Sequence, residues 1–576
     1  MVAEVPESSV SWDDASTRWD AFQARIWTLN ARVRGDRVGG AVLSLVSTDG
    51  KLFAALTWVA RPVVRWRRRR RGDRPASVEA GEFPVGVSLY EQWCRAHDDE
   101  QPAPRVQLRI LRVGPSTLSP LAGRDNIDVV DIPATSWTPD VIDAINASLE
   151  TAPTWTMVVD GEDDVLVGHV LAGLVDKGDS TDVVCGDYEE TLSDATVQPR
   201  FAPRVLGPVH LASANPVGRA VVFRTSAVRS WGGFDRAAGS AVVRAALFNA
   251  LDRDAEICHV ARPFVRMSTS TRSEVRDDID VVTRALERRL PGMSVRVTER
   301  EPGLLEWDLV LDRPWPSVAI VIPTRDRIDL LAPCLASIRA RTTYPSYRIV
   351  IVDNDSAEPA THDFFREAQC EIVPAPGPFN YPDIMNRGVA AVDDEFIVTL
   401  NNDTTVVTPD WLERLVSLGS LPGVGVVGCY LEDPSGVAQH EGVAIAPYPQ
   451  HIRRDRNYIV PDALLGATRE VSAVTGACQL VRRSLWDELG GLDRSLRVIH
   501  NDIDFCLRVQ RHGLSVVYTP RVKLLHAESS SRGRLDPHED IAHFISRWDI
   551  FGDFRDNYFP ERLEIVGDVV ACVTPL

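Results

Sequence analysis

The sequence predicts an α/β fold in which a mostly parallel sheet is flanked by helices. From residue 317 onward, short β-rich apolar runs alternate with segments of helical spacing. The apolar runs are continuous rather than alternating with polar residues. This pattern is typical of strands that are covered by helices on both faces.

The predicted elements follow one another in a regular order. The first strand is SVAIVIP, and the helix DLLAPCLASIRAR comes next, with Leu331 and Leu335 on one face. The strands YRIVIVDND, EFIVTL and GVGVVGCYL follow. WLERLVSL and SLWDELGGLD are predicted helices, and Gly490 with Gly491 marks the C-terminal end of the second.

The middle of the chain repeats this pattern more faintly. TWTMVVDGEDDVLVGHVLAGL parallels EFIVTLNNDTTVVTPDWLERL, and GRAVVFRTSAVRSWGGFDRA parallels GACQLVRRSLWDELGGLDRS. CHVARPFVRMSTSTR in turn parallels VVYTPRVKLLHAESSSR. The sequence therefore predicts a second, similar domain over about residues 84–300; a generic α/β domain is the alternative.

This second copy lacks part of the polar pattern of the first. GSAVVRAALFNAL has no carboxylate where the C-terminal copy has NDIDFCLR, and Met267 or Ser268 falls near the position of His526. No clear PTRDR follows its opening strand. The acidic residues that remain are Asp160, Glu162, Asp163 and Asp164. We expect a degenerate, non-catalytic domain that serves acceptor binding, assembly or packing.

Composition narrows the class of protein. A chain of 576 residues is long enough for two or three domains. The net charge of -18 argues against a nucleic-acid-binding protein, which normally presents a basic face. The nine cysteines are scattered without a CxxC pair, which favours reduced thiols over a disulfide framework or a zinc site. With no secretory signal at the first residues, we expect a cytoplasmic protein.

The N-terminal segment 1–75 contains a basic stretch. Asp49 and Lys51 divide its apolar part, so neither piece reaches the roughly 20 residues of a membrane span. The apolar residues before Arg67–Arg71 could form one face of a helix. Two interpretations stay open: peripheral contact with an anionic membrane surface, or a solvated charge run and linker.

Polar residues stand where the predicted strands end. PTRDR follows the first strand, DNDS the second and NND the third. Because ligands bind at the carboxyl ends of such strands, we expect Asp353, Asp355 and Asp403 to converge there, with Asn401 and Asn402 as neutral oxygen ligands. Oxygen ligands of this kind suit Mg²⁺ or Mn²⁺, with a diphosphate supplying further oxygens.

Two further segments carry candidate residues. In NDIDFCLR, Asp502 and Asp504 are two residues apart and cannot share a helix face, so one is expected in the cleft and the other in a local pair. The strand before His526 ends in a possible metal ligand, and Arg532 beside it could clamp phosphate. A structural histidine and an acidic helix start remain the alternatives.

The region from about 317 to 560 resembles the family 2 glycosyltransferases, which are nucleotide-sugar-dependent enzymes of the GT-A fold. It is most similar to bacterial transferases of the rhamnosyl, galactosyl and O-antigen type. The matching phrases, in order, are IVIPTRDR, VIVDNDS, FNYPDIMNRGVA, TLNNDTTV, VTGACQLVRRSLWDELGGLDRSL, NDIDFCLRVQRHG, VVYTPRVKLLHAESSSRG and RWDIFGDFRDNYFP. The resemblance implies tandem GT-A-type domains, a degenerate one followed by a catalytic one over residues 311–560 and a tail over 561–576.

The resemblance also implies roles for individual residues. Asp403 and His526 are the expected metal ligands, and Asp502 stands at the general base of the family's ED motif. The implied donor-nucleotide residues are Pro323, Thr324, Arg325, Asp353, Asp355, Asn386, Arg387, Asn401 and Asn402. The residues implied near phosphate or acceptor are Gly476, Asn501, Ser529 and Arg532. The family's DxD and ED motifs here begin with Asn401 and Asn501 in place of acids.

The implied reaction is an inverting displacement that depends on Mn²⁺ or Mg²⁺. Asp502 would accept the proton of an acceptor hydroxyl as that oxygen attacks the anomeric carbon. The donor would be a UDP-, dTDP- or GDP-linked sugar, and the acceptor a glycan, a lipid-linked glycan or a protein. Nothing in the sequence selects among them.

Two other functions compete with this one. VIVDNDS imitates the DxDx(T/S) motif of haloacid-dehalogenase-like phosphatases, but that family requires a lysine, and Lys523 is the sole lysine after residue 317. A non-catalytic sugar-binding or scaffolding protein of a glycan assembly is the other alternative. Asn401 and Asn501 in place of acids are its best support.

Overall fold

A computed structural model describes most of the chain from residue 106 onward. The described residues are 106–114, 126–175, 177–178, 180–191, 197–268, 273–453, 466–527, 538–561, 563–566 and 569–572. The predictions for segment 1–75 with Arg67–Arg71, and for Ser529 and Arg532, lie outside them. None of the described helices combines the length and apolar character needed to cross a membrane.

The N-terminal body is built on one sheet. Its strands are β1 (Leu108–Val113), β2 (Ile127–Ile132), β3 (Trp155–Asp160), β4 (Asp164–Val165), β5 (Val183–Thr191), β6 (Val197–Arg200), β7 (Val221–Arg224) and β8 (Ile257–Ser268). Its helices are α1 (Pro139–Leu149), α2 (Val167–Leu174), α3 (Pro208–Ser213), α4 (Thr225–Ser230) and α5 (Val242–Leu251), with a 3₁₀ turn at Gly239–Ala241. Helix α6 (Val275–Arg289) and the hairpin of β9 (Met293–Glu301) and β10 (Leu304–Leu311) lead into the second body.

The C-terminal body is built on a second sheet. Its strands are β11 (Val318–Thr324), β12 (Tyr347–Asp353), β13 (Glu371–Pro374), β14 (Phe396–Leu400), β15 (Thr404–Val406), β16 (Val424–Glu432), β17 (Ala438–His440), β20 (Arg469–Glu470), β21 (Cys478–Arg482) and β22 (Ser515–His526). Two small ribbons pair β18 (Val443–Ile445) with β19 (Pro449–His451) and β23 (Leu563–Val566) with β24 (Val569–Cys572). Its helices are α7 (Ile328–Arg341), α8 (Pro359–Glu367), α9 (Tyr381–Ala390), α10 (Trp411–Gly419), α11 (Arg483–Glu488), α12 (Asn501–Arg511) and α13 (His538–Trp548).

The elements predicted in the C-terminal half are confirmed. The buried run of β11 and the helix α7 follow each other as expected, although Pro333 lies inside α7. Helix α11 ends before Gly490 and Gly491, which adopt φ of +73° and +71°. Glycine reaches this left-handed region without a steric penalty, which explains why the helix ends there.

The α/β prediction is confirmed, and the sheet of the C-terminal body is mixed in direction. Strands β13, β12, β11 and β14 run parallel, whereas β21 is antiparallel to both β14 and β16. Strand β16 is again parallel to β22, and β15 is antiparallel to β22. Antiparallel strands buried on both faces are also continuously apolar, so the pattern of β21 gives no sign of its direction.

The two sheets share one topology. The strand order β2-β1-β3-β7-β5-β8-β4 in the first matches β12-β11-β14-β21-β16-β22-β15 in the second. Each neighbouring pair also has the same relative direction, for example β3 antiparallel to β7 and β14 antiparallel to β21. The two sheet bodies are thus consistent with the predicted tandem copies. The exact domain bounds remain predictions.

Direct contacts join the two bodies. The Glu470 carboxylate accepts hydrogen bonds from the backbone N–H of Val209 (2.8 Å) and of His210 (2.9 Å), in the first turn of α3. Burial raises the pKa of Glu470 above its usual value. The Ser417 hydroxyl donates to the carbonyl of Leu309 at 3.0 Å, which fixes the β9–β10 hairpin against α10. These hydrogen bonds attach α3 and the β9–β10 hairpin to the C-terminal body.

Candidate functional site

The carboxyl ends of β11, β12 and β14 lie at one edge of the sheet. Thr324 at the end of β11 pairs in register with Asp353 at the end of β12. The Asn402 side chain, just after β14, donates to the Thr324 hydroxyl at 3.0 Å. Because Asn402 and Thr324 are both buried, this bond ties the ends of two strands together. Three of the predicted donor-nucleotide residues therefore lie at one edge of the sheet.

The loop after β12 is held by its own carboxylates. Asp353 Oδ1 accepts the N–H of Ser356 at 3.0 Å, and Asp355 Oδ2 accepts the N–H of Gly377 at 2.7 Å. Asp355 has a φ of +55°, a conformation that aspartate tolerates better than most residues. On the neighbouring strand, Pro323 is half-buried and Arg325 is exposed. Both carboxylates keep further lone pairs for a ligand.

Asp403 and His526 come together through a short strand pairing. Strand β15 runs antiparallel to the end of β22, with Thr404 opposite His526. The backbone N–H of Ala527 donates to the carbonyl of Asp403 at 3.0 Å and closes this pair of strands. As a result Asp403 Oδ1 lies 3.3 Å from His526 Nε2, although 123 residues separate them along the chain (526 minus 403).

These two side chains have the chemistry of a divalent-cation site. Asp403 Oδ1 is buried and accepts no hydrogen bond from any described residue. A buried carboxylate oxygen without a donor is costly unless a cation or water faces it. Carboxylate oxygen and imidazole nitrogen both bind Mn²⁺. Among the described residues no cluster of three or more His, Cys, Asp or Glu could hold a metal, so this pair would need oxygens from a ligand.

Asp502 lies in the first turn of α12 and faces the same space. Its Oδ2 accepts the N–H of Gly476 at 2.8 Å, and its Oδ1 accepts the N–H of Ile503 at 2.9 Å. These two bonds orient the carboxylate and leave a lone pair on each oxygen. Asp403, His526 and Asp502 all line one cavity of about 270 Å³. The structure thus brings these three side chains to one cavity, while their roles stay predictions.

Gly476 packs closely against Asp502. A Cβ atom at this position would lie 3.3 Å from the Cβ of Asp502 and 3.4 Å from the Tyr381 hydroxyl. Such distances are tighter than most real Cβ contacts, so a larger residue would require these neighbours to shift by a few tenths of an ångström. The carbonyl of Gly476 also accepts hydrogen bonds from Thr399 (3.2 Å) and Tyr381 (3.3 Å). Glycine here lets the backbone hold Asp502 directly.

Asp504 has a different environment from Asp502. It is fully buried and accepts hydrogen bonds from Arg508 Nε (2.8 Å) and Trp548 Nε1 (3.0 Å). Arg547 Nε lies 3.3 Å from the same carboxylate. The expectation that one aspartate faces the cleft and the other pairs locally is confirmed, with Asp502 in the cleft.

Three predicted residues have structural partners. Asn386 is bonded to the backbone of Leu492 through both its oxygen (2.9 Å) and its nitrogen (2.8 Å). Arg387 pairs with Asp383 one turn earlier on α9. Asn501 lines the cavity, but its side chain donates to the carbonyl of Leu496 at 3.2 Å. Among the predicted donor-nucleotide residues only Asn401 lines this cavity; the others, Pro323, Thr324, Arg325, Asp353, Asp355, Asn386, Arg387 and Asn402, lie outside its lining, and their donor roles stay predictions.

The far wall of the cavity is formed by residues that the sequence analysis does not identify. Gln439 and His440 on β17 and His451 on β19 line it. His440 Nε2 accepts the N–H of Thr475 at 3.4 Å, and His440 Nδ1 lies 2.8 Å from His451 Nδ1. Burial is the main reason why the pKa of His440 lies well below its usual value, and the charge of His451 is the second. These residues lie on very short strands, whose length is too small for a periodic signal.

A family model described as "Glycosyltransferase like family 2" matches residues 316–536. An uncharacterized protein of Sinorhizobium fredii is 37% identical over 239 residues, which cover 40% of this chain and 26% of that protein. An O-antigen biosynthesis protein of Myxococcus xanthus is 31% identical over 356 residues, which cover 59% of this chain and 28% of that protein. The chain thus spans about a quarter of the length of each of these relatives.

Among solved structures, GalNAc-T7 with UDP, GalNAc and Mn²⁺ is 14% identical, with a TM-score of 0.32. The alignment covers 38% of this chain and 45% of that one. The family match covers the strands and helices that hold Asp403, Asp502 and His526. Residues 316–536 therefore form a domain of the glycosyltransferase family 2 type.

Proposed function

We propose that this chain transfers a sugar from a nucleoside-diphosphate sugar to a hydroxyl acceptor, with inversion at the anomeric carbon. The observation that carries the proposal is that Asp403, His526 and Asp502 line one cavity inside the family 2 domain. This gives a base and a cation site separate positions around one space. The O-antigen relative makes a glycan acceptor the first class to test.

In this proposal Asp502 is the general base. The acceptor hydroxyl gives its proton to a free lone pair of Asp502, and its oxygen forms a bond to the anomeric carbon. The bond from that carbon to the diphosphate oxygen breaks, and the nucleoside diphosphate leaves with the electron pair. A positioned base is required because a sugar hydroxyl is a weak nucleophile near neutral pH.

Asp403 and His526 would hold Mn²⁺ or Mg²⁺. When bound, the cation supplies charge stabilisation for the departing diphosphate. The other residues at this edge bind and orient the donor. Asp353 and Asp355 carry acceptor oxygens for the nucleoside part, and the Asn402–Thr324 bond keeps the two strand ends at a fixed spacing. Groups that the protein holds in place before binding reduce the entropic cost of ordering the substrate.

The first test is a screen of nucleotide sugars with the full chain. We expect UDP-, dTDP- or GDP-linked sugars to raise the melting temperature only in the presence of Mn²⁺ or Mg²⁺, because ligands that bind the folded state stabilise it by mass action. EDTA is expected to remove both this stabilisation and slow donor hydrolysis, and added Mn²⁺ to restore them. Binding without any turnover across acceptors would favour a sugar-binding scaffold instead.

A second test compares the two sheets. Asp403→Asn is expected to weaken Mn²⁺ binding by about 10–100-fold, since a neutral amide replaces a charged ligand oxygen. The matched control is Glu162→Gln, an exposed acid of the N-terminal body at the position that corresponds to Asp403, for which Mn²⁺ affinity is expected to stay within about 2-fold if that body holds no cation. Isothermal titration with Mn²⁺ measures both. Equal effects of the two changes would contradict the assignment of the site to the C-terminal body.

We also propose that the N-terminal body is catalytically silent. Its helix α5, in the position of α12, has no acidic residue in the first turn. The Asp163 carboxylate is paired with the guanidinium of Arg219, with N–O distances of 2.6 and 2.9 Å, and both side chains are buried. Arg219 thus neutralises the charge of Asp163. Its Asp160 lies at the end of β3, and burial raises the pKa of that carboxyl.

The residue of the N-terminal body that corresponds to His526 also supports the proposal that this body is catalytically silent. Trp155 of β3 lies opposite Arg224 as Phe396 of β14 lies opposite Arg482, so Asp164 corresponds to Thr405. Asp164 pairs with Arg266 as Thr405 pairs with Leu525, and the next residue, Met267, therefore corresponds to His526. A thioether sulfur is a poor ligand for Mn²⁺ or Mg²⁺, which prefer carboxylate, carbonyl and water oxygens.

A further inference from the structure

One neutral side chain on the cavity wall contacts His526 twice. Gln439 Nε2 donates to the backbone carbonyl of His526 at 2.9 Å. Gln439 Oε1 lies 3.0 Å from the ring nitrogen Nδ1 of the same residue. Both ends of one amide are therefore used on a single histidine, which fixes the amide and the ring relative to each other.

These two contacts determine where the ring hydrogen lies. The backbone carbonyl of His526 can only accept, so the amide nitrogen of Gln439 must face it. The amide oxygen then faces Nδ1, and because an oxygen without hydrogen cannot donate, Nδ1 must carry the hydrogen. A neutral imidazole has one N–H, so its Nε2 holds a lone pair. The opposite tautomer would set two lone pairs against each other at 3.0 Å.

The other side of the ring is consistent with this assignment. Asn401 Nδ2 lies 3.3 Å from His526 Nε2, which is a donor facing an acceptor. Asp403 Oδ1, the buried oxygen without a hydrogen bond among the described residues, lies 3.3 Å from the same nitrogen. Nε2 and the carboxylate oxygen thus lie close together, and a cation between them would replace the Asn401 N–H as the partner of the Nε2 lone pair.

The backbone explains why Gln439 faces this way. Strand β17 pairs with β16 through Leu431 with His440 and Glu432 with Ala438, so Gln439 is the extra residue of a β-bulge. A bulge turns a side chain out of the regular alternation. The carbonyl of Gln439 accepts a hydrogen bond from Arg453 Nε at 3.1 Å. The bulge is thereby held on its other side.

We propose that Gln439 is a positioning residue that holds His526 as the Nδ1–H tautomer, so that the lone pair of Nε2 is presented to a divalent cation beside Asp403. The inference rests on the proposed function for the presence of the cation, but the tautomer is a property of the protein alone. Partners of this kind, which bond the second nitrogen of a ligating histidine, fix the ring orientation and raise metal affinity.

The tautomer can be measured without any metal. In the full chain with ¹⁵N-labelled histidine, we expect the His526 signals, assigned by their loss in His526→Asn, to show a protonated Nδ1 and an unprotonated Nε2. Gln439→Leu removes both contacts and is expected to yield a mixture or the Nε2–H form. Gln439→Glu keeps an oxygen for Nδ1–H and is expected to retain the native form. Gln198→Leu on β6 of the other sheet is the matched control.

Mn²⁺ alone is the second probe. We expect Gln439→Leu to weaken Mn²⁺ binding by about 10–100-fold, Gln439→Glu to restore most of it, and Gln198→Leu to have no effect. An Nε2–H tautomer in the unaltered protein, or a native tautomer in Gln439→Leu, would overturn the inference. Failure of the unaltered protein to bind Mn²⁺, with the Nδ1–H tautomer present, would instead overturn the proposed metal site. Melting curves check that each variant folds.

Discussion

Replacing Asp502 with asparagine is expected to lower the rate of sugar transfer by a factor of about 10²–10⁴, the usual contribution of a general base. The amide keeps the shape of the carboxylate but cannot accept the proton of the acceptor hydroxyl. Nucleotide and Mn²⁺ binding should change little, because Asp403 and His526 lie on other elements. Single-turnover rates and Mn²⁺-dependent donor binding, measured on the same preparation, separate the two effects.

A control is needed because asparagine can accept only at its oxygen. One of the two bonds from Gly476 and Ile503 is then weakened, and a small loss of stability is expected. Asp363→Asn on the exposed face of α8 makes the same chemical change where the carboxylate pairs only with Arg366 in the next turn. It should leave transfer unchanged. If transfer survives in the Asp502 variant, Asp502 is not the base.

Much of the C-terminal fold can be predicted because each apolar run is a strand and the polar residues after it mark where that strand ends. Continuous apolar runs mark β11, β12 and β14, and the polar residues directly after them fall at one edge of the sheet. Parallel neighbours place those ends together without any knowledge of side-chain packing. Asp403 could be placed in this way. His526 could be placed at a strand end, but its position beside Asp403 was implied only by the family resemblance, since its strand pairs with the three-residue β15.

The residues that hold Asp502 and His526 in place cannot be predicted in this way. Gln439 faces His526 because a bulge inserts it between two paired residues, and no pattern in the sequence marks that bulge. Gly476 is explained by a distance to Asp502 that depends on how β21 meets α12. Asn386 has a structural partner that the family motif does not indicate, since its amide exchanges two hydrogen bonds with the backbone of Leu492, and its donor role stays a prediction.

The apolar pattern of the sequence also does not indicate the direction of individual strands. Strand β21 is buried along most of its length, as a parallel strand would be, yet it runs antiparallel to both neighbours. Burial on both faces decides the apolar pattern, whereas direction depends on the connections between strands. The internal repeat carried more information than periodicity, because the three matched phrase pairs fall on matching strands of the two sheets.

Removal of the Asp504 side chain is expected to destabilise the C-terminal body by about 3–5 kcal/mol, the usual cost of breaking a buried ion pair. Asp504→Ala leaves Arg508 and Arg547 without their shared buried carboxylate, and Trp548 Nε1 loses its acceptor. The same carboxylate joins α12 to α13, so the loss should reach the helix that carries Asp502. Urea unfolding followed by tryptophan fluorescence and by circular dichroism measures the change.

The comparison with Asp363→Ala makes this prediction specific to burial. That residue forms an exposed pair with Arg366 at spacing i, i+3, and such pairs contribute about 0–1 kcal/mol. Asp504→Asn should fall between the two, since the amide oxygen can still accept from Trp548 but offers no charge to the guanidinium groups. A loss below about 1 kcal/mol for Asp504→Ala would mean that water or a rearranged side chain replaces the carboxylate, because an unpaired buried charge costs far more.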